Sequence, residues 1–334
     1  MSAASEVQVD VIALGHPLVD VLTHETDDVV ARSGVERGAM TMVDAARSDE
    51  IYAQLGPAKE TSGGSAANTT VGVASFGGKA AFIGRIADDS FGKVFAHDLR
   101  AAGVEFDVAP ATDGSPTGRC LVIVAPDAER TMCTYLGAGA EIDVKDVDAV
   151  RIAGAAVTYL EGYLWDGPEA KDAIRRAATL AKDAGRKVAF TLSDPFCVDR
   201  HRAEFRALVA SSIDVLFANE DEITMLYEVD AFDEAAQLVA QDCDIAVLTR
   251  GAKGSVVISG SERHEIAAVP IEKLVDTTGA GDIYAAGFLY GLTHGHDLAK
   301  CGALGALGAA EVISHLGPRP EAPLAELARR LLDS

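Results

Sequence analysis

The sequence predicts an α/β protein with a doubly wound, mostly parallel central sheet that helices cover on both faces. Short apolar runs rich in β-branched and aromatic residues alternate with longer segments of helical periodicity. The runs are almost continuously apolar, which is typical of parallel strands buried on both faces. No Pro- or Ser-rich linker divides the 334 residues, so we expect one domain spanning 1–334.

The predicted elements follow one another in the order that such a sheet requires. Strands are expected at 9–15, 79–86, 155–162, 187–193, 214–219 and 245–249. Helices are expected at 65–76, 90–102, 168–184, 199–210 and 231–241. From Asp282 to His315 the chain is helical and rich in small residues, and its glycines indicate either close helix packing or the approach of a ligand.

Two segments interrupt this alternation. Residues 16–44 show no strong helix and contain two strand-like runs, PLVDVLTH and GAMTMVD. Residues 117–136 have the pattern of a hairpin with its turn at PDAE. We expect the two segments to form a small β layer, and two interpretations stay open. The layer is a lid that excludes water from a reaction site, or it is an ordinary edge hairpin.

Composition excludes several classes of protein. There are 51 acidic and 29 basic residues, a net charge of -22, which argues against nucleic-acid and anionic-membrane partners. Five scattered cysteines without CxxC spacing fit reduced thiols. No apolar run reaches the roughly 18 residues of a membrane span, and the first residues lack the features of a secretory signal. We therefore expect a cytoplasmic protein, either a monomer or a homodimer, that binds a small molecule.

The most specific motif is VDTTGAGD, which ends at Asp282 and precedes an apolar helix. Its glycines let backbone N–H groups converge, and the start of the helix adds free amides and the positive end of the helix dipole. Such a cradle suits a phosphoryl group in transfer. Asp282 either takes a proton from an acceptor hydroxyl or merely caps the helix.

Weaker signals lie elsewhere in the chain. SGGSAAN opens a predicted helix, where Asn68 can hydrogen-bond to a hydroxyl, and Asp20 follows the first strand, where a carboxylate suits two vicinal hydroxyls. NEDE, which runs from Asn219 to Glu222, can organise Mg²⁺ through water, and TRGAKG, beginning at Thr249, offers a hydroxyl and amides to a nucleotide. Each has an ordinary structural explanation when taken alone. A P-loop, a GxGxxG after the first strand and a metal-ligand spacing among the eight histidines are absent from the sequence.

The pairing of GGSAAN with DTTGAGD resembles the ribokinase-like (PfkB-type) family of sugar and nucleoside kinases, from about Val9 to Pro320. Within that family the chain is most similar to the adenosine kinase branch, through GHPLVDV, PTGRC, PDAERTMCTYLGA, EGYLW, TLSDPF and LFANEDE. The resemblance implies one α/β domain with a β lid and the transfer of the γ-phosphoryl group of ATP, with Mg²⁺, to a primary hydroxyl. A monovalent cation such as K⁺, needed in parts of the family, is left open.

The resemblance also implies roles for individual residues. Asp282 would be the general base, with the amides of Gly279, Ala280, Gly281 and Asp282 as an anion hole, and Arg130 would meet the phosphates. Residues expected to bind the acceptor are Asp20, Gly63, Gly64, Asn68, His16, Met40, Met42, Leu136, Tyr163, Leu164 and Phe196. Residues expected on the nucleotide side are Asn219, Glu222, Thr249, Gly251 and Gly254, with Mg²⁺ held through water near the first two.

The acceptor is open between two classes. Bulky apolar residues in the expected pocket favour the base of a nucleoside, and the 5′-hydroxyl of adenosine is the preferred acceptor. The alternative interpretation is that these residues belong to the core, and His16 and Met40 depart from the pattern of the adenosine kinase branch. The alternatives are a sugar kinase acting on ribose, fructose or 2-keto-3-deoxygluconate, and a non-catalytic nucleotide sensor.

Overall fold

Two β-sheets organise the protein in a computed structural model that describes residues 7–127 and 129–333. The strands are β1 (Val9–Leu14), β2 (Leu18–His24), β3 (Met40–Met42), β4 (Lys59–Gly63), β5 (Ala80–Ile83), β6 (Val104–Glu105), β7 (Thr117–Val124), β8 (Arg130–Gly137), β9 (Ala155–Glu161), β10 (Lys187–Thr191), β11 (Val215–Asn219), β12 (Ile245–Thr249), β13 (Ser255–Ser259) and β14 (Glu262–Ile266). The α-helices are α1 (Asp27–Ser33), α2 (Ala45–Tyr52), α3 (Ser65–Ser75), α4 (Ser90–Ala101), α5 (Ala149–Ala153), α6 (Pro168–Asp183), α7 (Pro195–Ser212), α8 (Glu220–Tyr227), α9 (Phe232–Asp242), α10 (Ala280–Thr293), α11 (Leu298–Val312) and α12 (Leu324–Leu332).

The large sheet confirms the predicted doubly wound architecture. Its strand order is β14-β13-β12-β11-β10-β9-β1-β5-β6. The chain starts at β1 in the interior and extends the sheet in both directions, and every pairing from β12 to β6 is parallel. At one edge β13 runs antiparallel to both of its neighbours, β12 and β14. The central strands are therefore buried on both sides, as their continuous apolar character predicts.

Strand β1 shows how both faces of the large sheet are filled. Ile12 and Leu14 belong to one apolar cluster, which also includes Trp165 and the buried face of α6. Val11 and Ala13 belong to the other, which includes Phe288 of α10. Because successive side chains of a strand point to opposite faces, one short apolar run supplies both layers of the core.

The small sheet confirms that the segments 16–44 and 117–136 pair with each other. Its order is β3-β8-β7-β2-β4, with β7 and β8 as the predicted hairpin. One residue of the predicted PDAE turn, Ala128, lies outside the described residues. The edge strand β4 was not predicted, because KETSG carries no strand-like apolar alternation.

The expectation of no strong helix in 16–44 was wrong, because α1 lies within it. Two turns are too short for a helical period to stand out, and Gly34, at φ +66°, ends the helix. Val30 of α1 and Ile51 of α2 belong to the same apolar cluster as Val21 of β2 and Leu121 of β7. One face of the small sheet is therefore covered by helices of the same chain.

The small-residue region after Asp282 is two helices, α10 and α11, separated at Gly295, where φ is +76°. The glycines of α11 are explained by helix packing. A Cβ on Gly305 would lie 2.8 Å from the carbonyl oxygen of Tyr284, and one on Gly308 would lie 3.1 Å from that of Ile283. Close contact between the two helices therefore requires these glycines, and no ligand is needed to account for them.

Two observations bear on the class of protein. Among the described residues, no helix is long and apolar enough to cross a membrane. All five cysteines are free thiols.

Candidate active site

The site lies at the carboxyl ends of the parallel strands, beside β1. The strands that follow β1 in sequence lie on both sides of it in the sheet. Asn219 at the end of β11 is in register with Thr249 at the end of β12. Glu161 at the end of β9 is in register with Thr191 at the end of β10. Open α/β sheets bind ligands at this edge.

The loop before α10 forms an anion cradle. Gly279 has φ +78°, and a Cβ there would lie 2.5 Å from the carbonyl oxygen of Pro318, so only glycine fits. The amides of Gly279, Gly281 and Asp282 have no acceptor among the described residues. The expectation of four free amides needs a correction, because the Ala280 N–H donates to the Thr277 carbonyl at 3.2 Å.

Asp282 is held by two side chains of α3 and does not cap its own helix. Its Oδ1 accepts from Ser65 Oγ at 2.7 Å and its Oδ2 accepts from Asn68 Nδ2 at 3.0 Å. It makes no capping hydrogen bond to α10, whose N-cap is Gly279. Burial raises the pKa of Asp282 to about 6, against the two hydrogen bonds, which favour the ionised form. The carboxylate is therefore mostly ionised at neutral pH, and its pKa is close enough to neutral pH for it to take up a proton.

Asp20 reaches the same site from the small sheet. It lies on β2, in register with Cys120 of β7 and Thr61 of β4. Burial raises its pKa to about 6, although Arg319 and Arg130 favour its ionised form. No donor among the described residues contacts its oxygens. A half-buried carboxylate without a donor from these residues is available to accept hydrogen bonds from ligand hydroxyls.

Two glycines allow β2 to approach the start of α3. A Cβ on Gly63 would overlap the Asp20 carboxylate. Gly64 has φ +98°, and a Cβ there would overlap the carbonyl oxygen of His16. The structure thus brings together the predicted residues His16, Asp20, Gly63, Gly64, Asn68 and Asp282.

Three residues of this site were missed in the sequence: Ser65, Glu161 and Arg319. Glu161 is 1% exposed and accepts from His16 Nδ1 at 3.2 Å and from the Ala66 amide at 3.0 Å. Arg319 donates from Nε to Asn68 Oδ1 at 3.2 Å and from Nη1 to Ser62 Oγ at 2.6 Å. Glu161 stands in the EGYLW segment and could have been found there, but no local pattern marks Arg319.

Arg130 of β8 joins the small sheet to the loop before α10. Its Nη1 pairs with Asp276 Oδ2 at 2.7 Å and donates to Thr278 Oγ1 at 3.2 Å, whereas its Nη2 is buried without a partner. Asp276 also accepts from the Thr278 and Gly317 amides. A cation with an unused donor therefore lies beside the anion cradle.

On the predicted nucleotide side, Asn219 and Glu222 form the capping box of α8. Asn219 Oδ1 accepts from the Glu222 amide at 2.8 Å, and Glu222 accepts from the Asn219 backbone and side-chain nitrogens at 2.9 and 2.7 Å. Burial raises the pKa of Glu222 to about 7. Gly251 and Gly254 have φ +56° and +87° in the turn after Thr249. No group of three or more acidic, His or Cys side chains in the described parts of the chain is arranged to hold a metal directly.

The apolar residues expected to surround a base do not form one closed wall. Leu164 is 1% exposed and lies in the core cluster that contains Trp165. This corrects its assignment to the pocket. Phe196, on the first turn of α7, is 76% exposed, and Met40 and Met42 are also exposed. Leu136 and Tyr163 are half-buried. The core alternative therefore holds for Leu164, and Tyr163 also packs against the same core cluster.

An anion cradle at a helix start with a carboxylate and a cation next to it is the arrangement that phosphoryl transfer to a hydroxyl group requires. Residues 39–324 match the pfkB family carbohydrate kinase. The chain belongs to this family, whose members include sugar and nucleoside kinases, and the family implies ATP and usually Mg²⁺.

Similar proteins include kinases named for a nucleoside and kinases named for a sugar. The crystal structure of adenosine kinase from Sinorhizobium meliloti is 48% identical, with a TM-score of 0.90 over 97% of this chain and 99% of that one. A probable sugar kinase from Rhizobium etli CFN 42 is 46% identical, with a TM-score of 0.90 over 97% and 98%. The 5-dehydro-2-deoxygluconokinase of Shouchella clausii is 28% identical over 75% of this chain and 80% of its own.

Proposed function

We propose that the protein transfers the γ-phosphoryl group of ATP to the 5′-hydroxyl of adenosine and so produces AMP. The observation that carries the proposal is the half-buried Asp20 carboxylate, which has no donor among the described residues and shares the site with Asn68 and Asp282. A ribose fits this arrangement, because its two vicinal hydroxyls can donate to Asp20 while its primary hydroxyl reaches Asp282. The identity of 48% to an adenosine kinase supports adenosine.

The proposed reaction needs little covalent chemistry from the protein. Asp282 takes the proton of the acceptor hydroxyl while the oxygen of that hydroxyl forms a bond to the γ-phosphorus. The bond from that phosphorus to the bridging oxygen breaks, and ADP leaves. The amides of Gly279, Gly281 and Asp282, together with Arg130, neutralise the developing charge. In this proposal the small sheet is the lid, because Asp20 and Arg130 both lie on it.

The residues near α8 fit a hydrated Mg²⁺ rather than a directly bound one. Glu222 and Asn219 already bond to each other, and Asp194 is one of two further acids, with Asp221, whose charges act on Glu222. Two carboxylates suit Mg²⁺, which keeps most of its waters and binds substrate phosphates. When bound, the ion would offset the charge of ATP, and Glu222 and Asn219 would orient its waters.

A sugar kinase is the second candidate, and Arg319 is the observation that favours it, because a guanidinium binds the carboxylate of a sugar acid. The neighbouring charges oppose this acceptor. Asp20, Asp98 and Asp282 surround Arg319, so an anionic acceptor would enter a pocket with excess negative charge. A neutral nucleoside or neutral sugar fits the pocket better.

The test is ADP release by purified protein with ATP and Mg²⁺, using adenosine, inosine, guanosine, ribose, fructose and 2-keto-3-deoxygluconate as acceptors. We expect saturation by adenosine at micromolar concentrations. Preference for a sugar would replace the nucleoside assignment, and nucleotide binding without turnover would indicate a sensor. Replacing K⁺ with a bulky organic cation in the same assay tests the monovalent cation.

A further inference from the structure

The segment between α11 and α12 packs against the anion cradle, and its Arg319 side chain lies in the acceptor site. The Gly317 amide donates to Asp276 Oδ2 at 2.8 Å. At the next residue, the carbonyl of Pro318 occupies the space where a Cβ of Gly279 would be. These two contacts fix the path of the chain immediately before Arg319.

The Arg319 side chain is 16% exposed and uses two of its three nitrogens. Nε donates to Asn68 Oδ1, and Nη1 contacts Ser62 Oγ at 2.6 Å and Asp98 Oδ2 at 3.3 Å. Nη2 is buried and has no hydrogen-bond partner in the described part of the chain. An unsatisfied buried donor is unfavourable, so the arrangement lacks an acceptor that a ligand can provide.

The bond to Asn68 determines which way its amide faces. Because Oδ1 of Asn68 accepts from Arg319, its Nδ2 is directed to Asp282 Oδ2, which it reaches at 3.0 Å. Without Arg319, Asn68 Oδ1 would lose its donor, and only the bond from Nδ2 to Asp282 would hold the amide in place. The orientation of the base therefore depends on a residue that does not touch it.

We propose that Arg319 is a positioning residue of the acceptor site: it fixes Asn68 so that Asn68 donates to Asp282, and its free Nη2 donates to a hydroxyl oxygen of the acceptor. This inference rests on the proposed kinase function and adds a residue that sets both acceptor affinity and the protonation of the base.

The charges around Asp282 come from several elements. Glu161 of β9, which is paired with His16, raises the pKa of Asp282, and Arg319 lowers it. Asp20 of β2 faces Asp282, Arg319 and Arg130, and its pKa responds to all three. Asp98 of α4 bonds to Arg319 itself. Arg319 remains cationic, because a guanidinium does not lose its proton in proteins. Its removal therefore raises the pKa of Asp282.

The experiment compares Arg319→Met and Arg319→Lys with wild type, using the acceptor that wild type phosphorylates, across pH 5 to 9. Arg319→Met should raise the KM for the acceptor about ten-fold or more, leave the KM for ATP within about two-fold, and move the acidic limb of kcat to higher pH. In Arg319→Lys the acidic limb of the kcat profile should lie closer to its wild-type position, because lysine keeps the positive charge. Its acceptor KM should stay high, because it lacks the planar fork that holds Asn68.

Arg151→Met is the matched control, since Arg151 is similarly buried and makes two ion pairs, to Glu105 and Asp107, away from the site. It should leave the acceptor KM and the pH profile unchanged. The inference is overturned if Arg319→Met, or Arg319→Lys where the former does not fold, matches wild type in both readouts. Failure of the kinase proposal would instead appear as absence of turnover in wild type. In that case calorimetry with adenosine compares the acceptor affinity of wild type with that of Arg319→Lys.

Discussion

At the scale of single residues, Asp282 combines burial with two hydrogen bonds from α3. Both donors, Ser65 and Asn68, come from a segment more than 200 positions away in the chain. The sequence predicted Asp282, Asn68 and Asp20, because each stands in a motif or at a strand end. It could not predict Arg319, because its partners Asn68 and Ser62 are distant in sequence and one arginine in GPRP carries no pattern.

Asp282→Asn should remove nearly all turnover while the protein stays folded. An amide cannot accept the proton, and a positioned base contributes about 10²–10⁴ in rate. The fold should persist, because an Asn oxygen can accept from Asn68 while its nitrogen donates to Ser65 Oγ. Acceptor-dependent ADP release measures the effect, and a variant that keeps more than about a tenth of wild-type activity would exclude the role.

The same substitution should stabilise the protein at pH 8. The folded-state pKa of Asp282, about 6, lies above its unfolded value, so the folded state binds the proton more tightly. The stabilisation from that proton is complete below the unfolded pKa and is lost as pH rises through about 6. Removing the buried charge should raise the free energy of unfolding at pH 8 by about 1–3 kcal/mol, and denaturant melts at pH 8 and pH 4 measure it.

The pH dependence of turnover should separate the two buried acids. Because Asp282 must be ionised to take a proton, kcat should fall as pH decreases through about 6. Asp20 has a similar pKa and binds the free acceptor in our proposal, so kcat/KM should fall more steeply than kcat. In Asp20→Asn the extra steepness should disappear. A kcat that is constant from pH 8 to pH 5 would contradict the assignment of Asp282.

At the scale of elements, the start of α10 depends on two glycines for different reasons. Gly279 is required by its backbone conformation and by Pro318, whereas a Cβ on Gly281 would meet no protein atom within 4 Å. The sequence predicted the cradle as a whole. It could not separate these roles, because Pro318 lies almost 40 residues further along the chain.

Gly279→Ala and Gly281→Ala form a matched pair of variants. Gly279→Ala should lower both thermal stability and activity, because a left-handed Ala costs about 1–2 kcal/mol before the clash with Pro318 is counted. Gly281→Ala should keep or slightly raise stability, since Ala favours a helix, and should still reduce kcat because its methyl group enters the space of the phosphoryl group. Melting temperatures and ADP release distinguish the two, and full activity of Gly281→Ala would place the phosphoryl group elsewhere.

The start of α8 offers a test of the proposed Mg²⁺ role. Asn219→Ala removes the cap and should lower the free energy of unfolding by about 1 kcal/mol. Asp297→Ala removes the cap of α11, where Asp297 accepts from the Lys300 amide, and should cost a similar amount. Only Asn219→Ala should raise the Mg²⁺ concentration needed for half-maximal turnover. Equal Mg²⁺ requirements in the two variants would leave Asn219 with a structural role alone.

At the scale of the whole molecule, the acceptor site is assembled from both sheets. Six strands of the large sheet were predictable from their continuous apolar composition, whereas β6, β13 and β14 were not predicted. The small sheet was predictable only in part, since β4 has no apolar pattern and α1 has two turns. The ion pair between Arg130 of the small sheet and Asp276 of the loop before α10 depends on tertiary packing, and the sequence pointed to Arg130 only through the resemblance to other kinases.

Arg130→Met tests whether the small sheet acts as a lid. Arg130 and Asp276 are 14% and 7% exposed, so their ion pair is largely shielded from water. Asp276 keeps its bonds from Thr278 and Gly317 in the variant, so the fold should survive. We expect a KM for ATP at least about ten-fold higher, faster amide exchange in β7 and β8, and a larger share of ATP hydrolysed without an acceptor, because water enters an unlatched site.

Arg37→Met is the control, in the turn before β3 of the same sheet. Arg37 pairs with Asp27, Asp127 and Glu129, but it is 39% exposed, and exposed pairs contribute little to stability. It should leave ATP affinity, amide exchange and acceptor-free hydrolysis close to wild type. Should Arg130→Met weaken ATP binding without changing exchange or hydrolysis, Arg130 would be a phosphate ligand on a fixed sheet. A lid requires all three readouts to change together, because one motion would then control phosphate contact, strand protection and access of water.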